Sequence, residues 1–99
     1  MYRIVPSKRF QKALKKYQKS GKGRILKFAA EVIDLLAMHD ERSLFVLGTR
    51  WQDHALRGNK KGIRELHLSQ DELLLYAADE ELCIIKLFDI VSHEELRKM

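Results

Sequence analysis

Ninety-nine residues with 45% hydrophobic content supply one core and not two, so a single domain over residues 1–99 is expected. No stretch approaches the roughly 18 to 20 apolar residues of a membrane span, and the basic segment Met1–Lys8 runs into charged sequence instead of an apolar signal core, which points to a cytoplasmic protein without a membrane partner. The net charge of +5 hides an asymmetry, because residues 1 to 27 hold ten Lys or Arg and no acid while the rest holds nine bases and fourteen acids. Such a field attracts a polyanion or an acidic protein partner.

Tyr2-Arg3-Ile4-Val5 has the β-branched and aromatic character of a short strand, ended by Pro6 ahead of Ser7, a residue suited to cap a helix. Phe10, Ala13, Leu14 and Tyr17 then fall at i, i+3, i+4 and i+7, predicting a basic amphipathic helix that stops at Gly21. A second helix near Gly23–His39 carries Ile25, Ala29, Val32, Ile33 and Leu36 on one stripe, widened by Leu26, Ala30 and Ala37. Residues 41 to 62 show no long periodicity, with Gly48, Gly58 and Gly62 interrupting two charged clusters around Trp51, and read as a long loop of the kind that carries function. Three strand-like runs follow, Ile63–Ser69, Leu73–Ala77 and Leu82–Phe88, separated by turns short enough to require antiparallel neighbours. Cys83 sits in the last run, has no partner for a disulfide and reads as a small buried residue instead of a nucleophile. Ser92, followed three residues later by Glu95, caps a final helical turn. The expected fold is an α+β domain with two N-terminal helices on one face of a small antiparallel sheet.

Side chains alternate across a strand, so Glu65 and His67 face away from Leu66 and Leu68. If the leucines meet the helices, His67 faces the open side of the sheet. His54 lies in the preceding loop, Asp71 in the turn that His67 approaches, and His93 after the final strand, so three histidines and a carboxylate can converge there. Imidazoles near their ordinary pKa of ~6.5 can divide the work of base and acid, and RNA cleavage needs that division: a base for the ribose 2′-OH, an acid for the departing 5′ oxygen, and cations for the crowded negative charge. Arg57, Lys60, Lys61 and Arg64 lie between His54 and His67 in sequence as the nearest sources of charge. A catalytic metal is not expected, since there is no HExxH, no closely spaced His or Cys pair, and no compact zinc spacing. No nucleotide-binding glycine loop is present either.

The segment DHALRGNKKGIRELHLSQDELLLY at residues 53 to 76, followed by SHEEL at 92 to 96, resembles the signature of YafQ-family toxins within the RelE superfamily. The matching positions are Asp53, His54, Leu56, Gly58, Gly62, Arg64, His67, Asp71 and Tyr76, and with the opening strand and lysine-rich helix the resemblance covers essentially the whole chain. It implies ribosome-dependent mRNA cleavage without a cofactor, and a cognate antitoxin that binds the toxin in a hetero-oligomer. His54, His67, Asp71 and His93 match family positions assigned to catalysis or RNA binding. Two positions depart from the pattern: many relatives have arginine four residues before the last histidine and an aromatic four residues after it, where this chain has Asp89 and Arg97. Arg97 and Lys86 are the cations available to replace that arginine. Two other readings share this sequence: a ParE-like toxin that poisons DNA gyrase, against which the three histidines argue, and a non-enzymatic RNA- or ribosome-binding module.

Overall fold

The computed structural model describes residues 1–56 and 62–98. Its elements run β1 (Arg3–Pro6), α1 (Lys8–Lys19), α2 (Gly23–Met38), α3 (Glu41–Arg50), β2 (His54–Ala55), β3 (Arg64–His67), β4 (Glu72–Asp79), β5 (Ile84–Ser92) and α4 (His93–Arg97). Ser7 caps α1 by accepting the Phe10 N–H at 3.0 Å, and the helix turns Phe10, Ala13 and Tyr17 inward. α2 buries Ile25, Ala29, Val32 and Leu36 and ends at His39, whose φ of 46° breaks the helix. Ala30, counted in the widened stripe, is instead exposed.

The strands form one sheet in the order β1-β5-β4-β3-β2. The short turns give antiparallel β2/β3, β3/β4 and β4/β5 pairs. β1 instead runs parallel to β5, with Ile4 opposite Ile85. The sheet is therefore mixed where an antiparallel one was expected: most of the chain separates β1 from β5, and a connection that long permits either sense of pairing. The α+β class stands.

The helices pack on one face, where α1, α2 and α3 meet Leu66, Leu68, Leu74, Tyr76, Ile85, Leu87 and Ile90. Fully buried members such as Val32, Leu36 and Leu47 each stabilise the fold by about 1.5–3 kcal/mol. A register shift at Leu75/Tyr76 sets Leu87, Phe88 and Asp89 of β5 against two residues of β4. This bulge keeps Ile90 on the helix side and sends Phe88 and Val91 to the other face.

Three features correct the sequence reading. Residues 41–50 form helix α3, not loop: Asp40 and Ser43 make a reciprocal capping box, and Leu47 and Trp51 are buried against α2 and the sheet. The face opposite the helices is not bare, because Leu73, Leu75 and Val91 form a second small core there, covered by Leu56, Ile63, Phe88 and Leu96. Cys83 is exposed and sits at φ 53°, in the turn that precedes β5 and not within the strand.

Candidate active site

The alternation of β3 decides the site. Leu66 is fully buried under the helices, so Glu65 and His67 project from the opposite face. β2 pairs His54 directly with Glu65, and the His54 Nε2 stands 2.6 Å from Glu65 Oε1. The other ring nitrogen, Nδ1, meets the Gln52 carbonyl at 2.7 Å. Both partners are hydrogen-bond acceptors, so the ring is held between them. Gln52 itself holds a left-handed φ of 54°, a conformation costly for a non-glycine residue and common where a backbone group is aimed.

His93 reaches the same place from the first residue of α4. Its backbone N–H donates to the Asp71 carbonyl at 3.1 Å, and Ser92 and Glu95 close the capping box that fixes the helix start. The three rings stand in a row, with centroids 6.0 Å apart for His54 and His67 and 5.4 Å apart for His67 and His93. Burial lowers the His67 pKa below the ordinary histidine value; the neighbouring His93 and His54 push it the same way, and the Glu65 carboxylate opposes them. His67 is thereby held as a neutral imidazole able to accept a proton near neutral pH.

His67 and His93 line an open cleft of about 640 Å³, together with Phe28, Arg50, Trp51, Gln52 and the Leu68–Gln70 turn. The His67 backbone N–H donates to the Trp51 carbonyl at 2.8 Å, so the end of α3 is tied directly to β3. Arg50 lies over the Trp51 ring, 5.2 Å from its centroid.

Of the residues singled out from sequence, His54, His67 and His93 are brought together. Asp71 joins them through its backbone carbonyl, while its side chain is exposed in the turn. Arg64 is not brought to them. It projects to the helix side, where its Nε and Nη2 donate to Asp53 at 3.0–3.3 Å and the Tyr76 hydroxyl donates to the same carboxylate at 2.6 Å. Lys86 pairs with Ala77 and lines a separate acidic cleft with Asp79 and Glu80. Arg97 is exposed one turn after His93 on α4. Arg57, Lys60 and Lys61 lie outside the described residues. Asp89, a departure from the family pattern that the sequence resembles, pairs with Arg9 of α1 at 3.2 Å.

Glu65 and Arg50 were missed by sequence reasoning. The alternation that placed His67 on the second face placed Glu65 there too, so the first was legible; Arg50 required knowing that α3 ends beside β3. Glu65 also changes the metal question. His54, Glu65 and His67 offer ligand atoms within 4.8 Å of one another, and Glu65 Oε2 is buried without a hydrogen-bond partner among the described residues. Two imidazoles and a carboxylate form a donor set suited to zinc or copper. Strand pairing builds this set from positions 54, 65 and 67, a spacing no linear zinc motif shows.

Residues 2–98 match the family model of the bacterial YafQ toxin of type II toxin–antitoxin systems. The chain belongs to the YafQ family. A metal-bound toxin from Helicobacter pylori is 35% identical and superposes with a TM-score of 0.81 over 97% of this chain and 99% of its own. The YafQ toxin of E. coli shares the fold at 23% identity and a TM-score of 0.79, covering 97% and 98% of the two chains. In the E. coli DinJ–YafQ complex the toxin matches at 23% identity and a TM-score of 0.72, with the same coverage. Among curated proteins none matches. This YafQ-type toxin carries, among the described residues, no helix long and apolar enough to cross a membrane.

Proposed function

We propose that this YafQ-family toxin is a ribosome-dependent endoribonuclease that cleaves mRNA by general acid–base catalysis without a catalytic metal. One observation carries the reading: the row of three imidazoles, with His67 and His93 bordering one open cleft. A neutral His67 takes the proton of the ribose 2′-OH, whose oxygen attacks the adjacent phosphorus. The bond to the 5′ oxygen breaks, and His93 gives that oxygen its proton. The products are a 2′,3′-cyclic phosphate and a 5′-hydroxyl, and the two histidines exchange protonation states.

His54 stands beside His67, held by Glu65 and the Gln52 carbonyl, and together with Glu65 it sets the field around the base. Asp71 serves by holding the start of α4, and with it His93, against β4. Arg97, with Arg57, Lys60 and Lys61, supplies positive charge for the RNA backbone. A metal ion held by His54, Glu65 and His67 would occupy the lone pair that His67 needs as a base, so on this reading metal binding opposes the reaction. A cognate antitoxin is the expected partner, and the E. coli relative crystallised with DinJ supports that expectation. Primer extension on a translated message tests the function: new ends should appear with the wild-type toxin and be lost with His67→Ala, and neither should cut the message without ribosomes.

A further inference from the structure

We propose that Arg50 is the cation that binds the scissile phosphate and stabilises it as it is attacked; this rests on the nuclease reading above. Among the described residues lining the cleft with His67 and His93, Arg50 is the only lysine or arginine. Of the other candidates, Arg64 is committed to Asp53 at 3.0 Å, Arg9 to Asp89 at 3.2 Å and Lys22 to Glu72 at 3.3 Å, while Lys86 lines a different cleft and Arg97 does not line this one. The nearest acid to Arg50 is Glu31, at 3.9 Å, and the arginine side chain is 66% exposed. That is a loose surface contact, which leaves the guanidinium free to take an anion.

The guanidinium is nevertheless held in place. It lies over the Trp51 ring, which is buried and braced edge-on by Phe28 at 5.6 Å, and cation–π attraction limits its wandering. Trp51 is itself tied to the strand that carries His67, because its carbonyl accepts the His67 backbone N–H at 2.8 Å. A planar cation is thus carried on the residue that anchors His67, on the wall of the cleft the two histidines share. A guanidinium presents parallel N–H donors matching two non-bridging phosphate oxygens, and negative charge grows on those oxygens as the 2′ oxygen bonds to phosphorus.

The test is single-turnover cleavage on ribosomes programmed with a short message, alongside binding of the same message carrying a 2′-deoxy nucleotide at the cut, which binds without reacting. Arg50→Gln should slow the saturated cleavage step by about 10²-fold or more, the scale for losing one donor to a developing oxyanion, while binding of the deoxy message changes little. Arg50→Lys should recover part of the rate, since the charge remains and the two-pronged geometry is lost. Thermal midpoints should match the wild type, as the side chain is exposed. Wild-type cleavage together with an unimpaired Arg50→Gln variant would overturn the assignment, as would a variant that only binds more weakly and cleaves at the full rate once saturated. A wild-type protein that cuts no message overturns the nuclease reading itself, and this one with it.

Discussion

Arg64 and Asp53 form a two-point ion pair on the helix side of the sheet, with the Tyr76 hydroxyl donating into the same carboxylate. The arginine that sequence order sets between two site histidines is thus a structural group that locks β3 to the end of α3. Arg64→Ala is expected to cost about 1–3 kcal/mol, because a largely buried carboxylate loses its cation, and thermal or urea unfolding will measure it. The salt dependence of RNA binding should stay unchanged; a slope reduced by about one ion would mean that Arg64 reaches phosphate after all.

The pH profile of cleavage follows from the field around His67. Burial and the neighbouring histidines lower its pKa, so a His67 that acts as the base should already be deprotonated at a pH where a free imidazole would be half protonated. Activity should rise with pH along a limb whose midpoint lies below ~6.5. Glu65 opposes that shift, so Glu65→Gln should move the limb to lower pH, whereas His93→Asn, by removing a neighbour that favours the neutral ring, should move any residual activity to higher pH. Because the imidazoles interact, the measured midpoints belong to the cluster. A limb at or above the free-histidine value would remove His67 as the base.

Chelation and metal addition should have opposite effects from those on a metalloenzyme. With ribosomal magnesium maintained separately, excess EDTA should leave the rate intact, and the product should end in a 2′,3′-cyclic or 3′-phosphate. Copper or zinc should slow cleavage by binding His54, Glu65 and His67. Glu65→Ala should weaken that inhibition in a titration of rate against metal. A 3′-hydroxyl end, or activity restored by metal after chelation, would contradict the proposed chemistry.

Alanine at His67 or at His93 should each reduce cleavage by ~10²-fold or more, the ordinary loss for a general base or acid. Binding to the programmed ribosome should be retained. Full activity in the double variant would show that neither ring carries the proton transfer.

The antitoxin should cover the basic side of the toxin. Lys12, Lys15, Lys16 and Lys19 line one groove along α1, and no acid occurs before residue 28. Reversing several charges among these four and Lys8 should weaken the complex and flatten its salt dependence, as calorimetry would show. Unchanged affinity would place the antitoxin elsewhere.

The parts of this molecule that were legible in sequence are those whose period is local. α1 and α2 follow from their apolar spacing, the caps at Ser7 and Ser92 from residue type, and the grouping of His54, His67 and His93 from strand alternation and the family pattern. α3 was hidden because Gly48 interrupts it, its apolar residues Leu44 and Phe45 are exposed, and its buried stripe of Ser43, Leu47 and Trp51 includes a polar residue; Asp40 was its visible start signal. The parallel pairing of β1, the Arg9–Asp89 contact and the approach of Arg50 to His67 depend on segments distant in sequence. No window of residues contains them.

In β3 the helix-facing residues Arg64 and Leu66 alternate with Glu65 and His67, which project from the other face beside His54. Odd and even positions of one short strand therefore answer to different demands, one set to the packing under the helices and the other to the histidine cluster. A lineage can change the residues of the cluster without loosening the scaffold, or repack the scaffold without touching the histidines. Inserting or deleting a single residue there would exchange the two sets and destroy both properties at once.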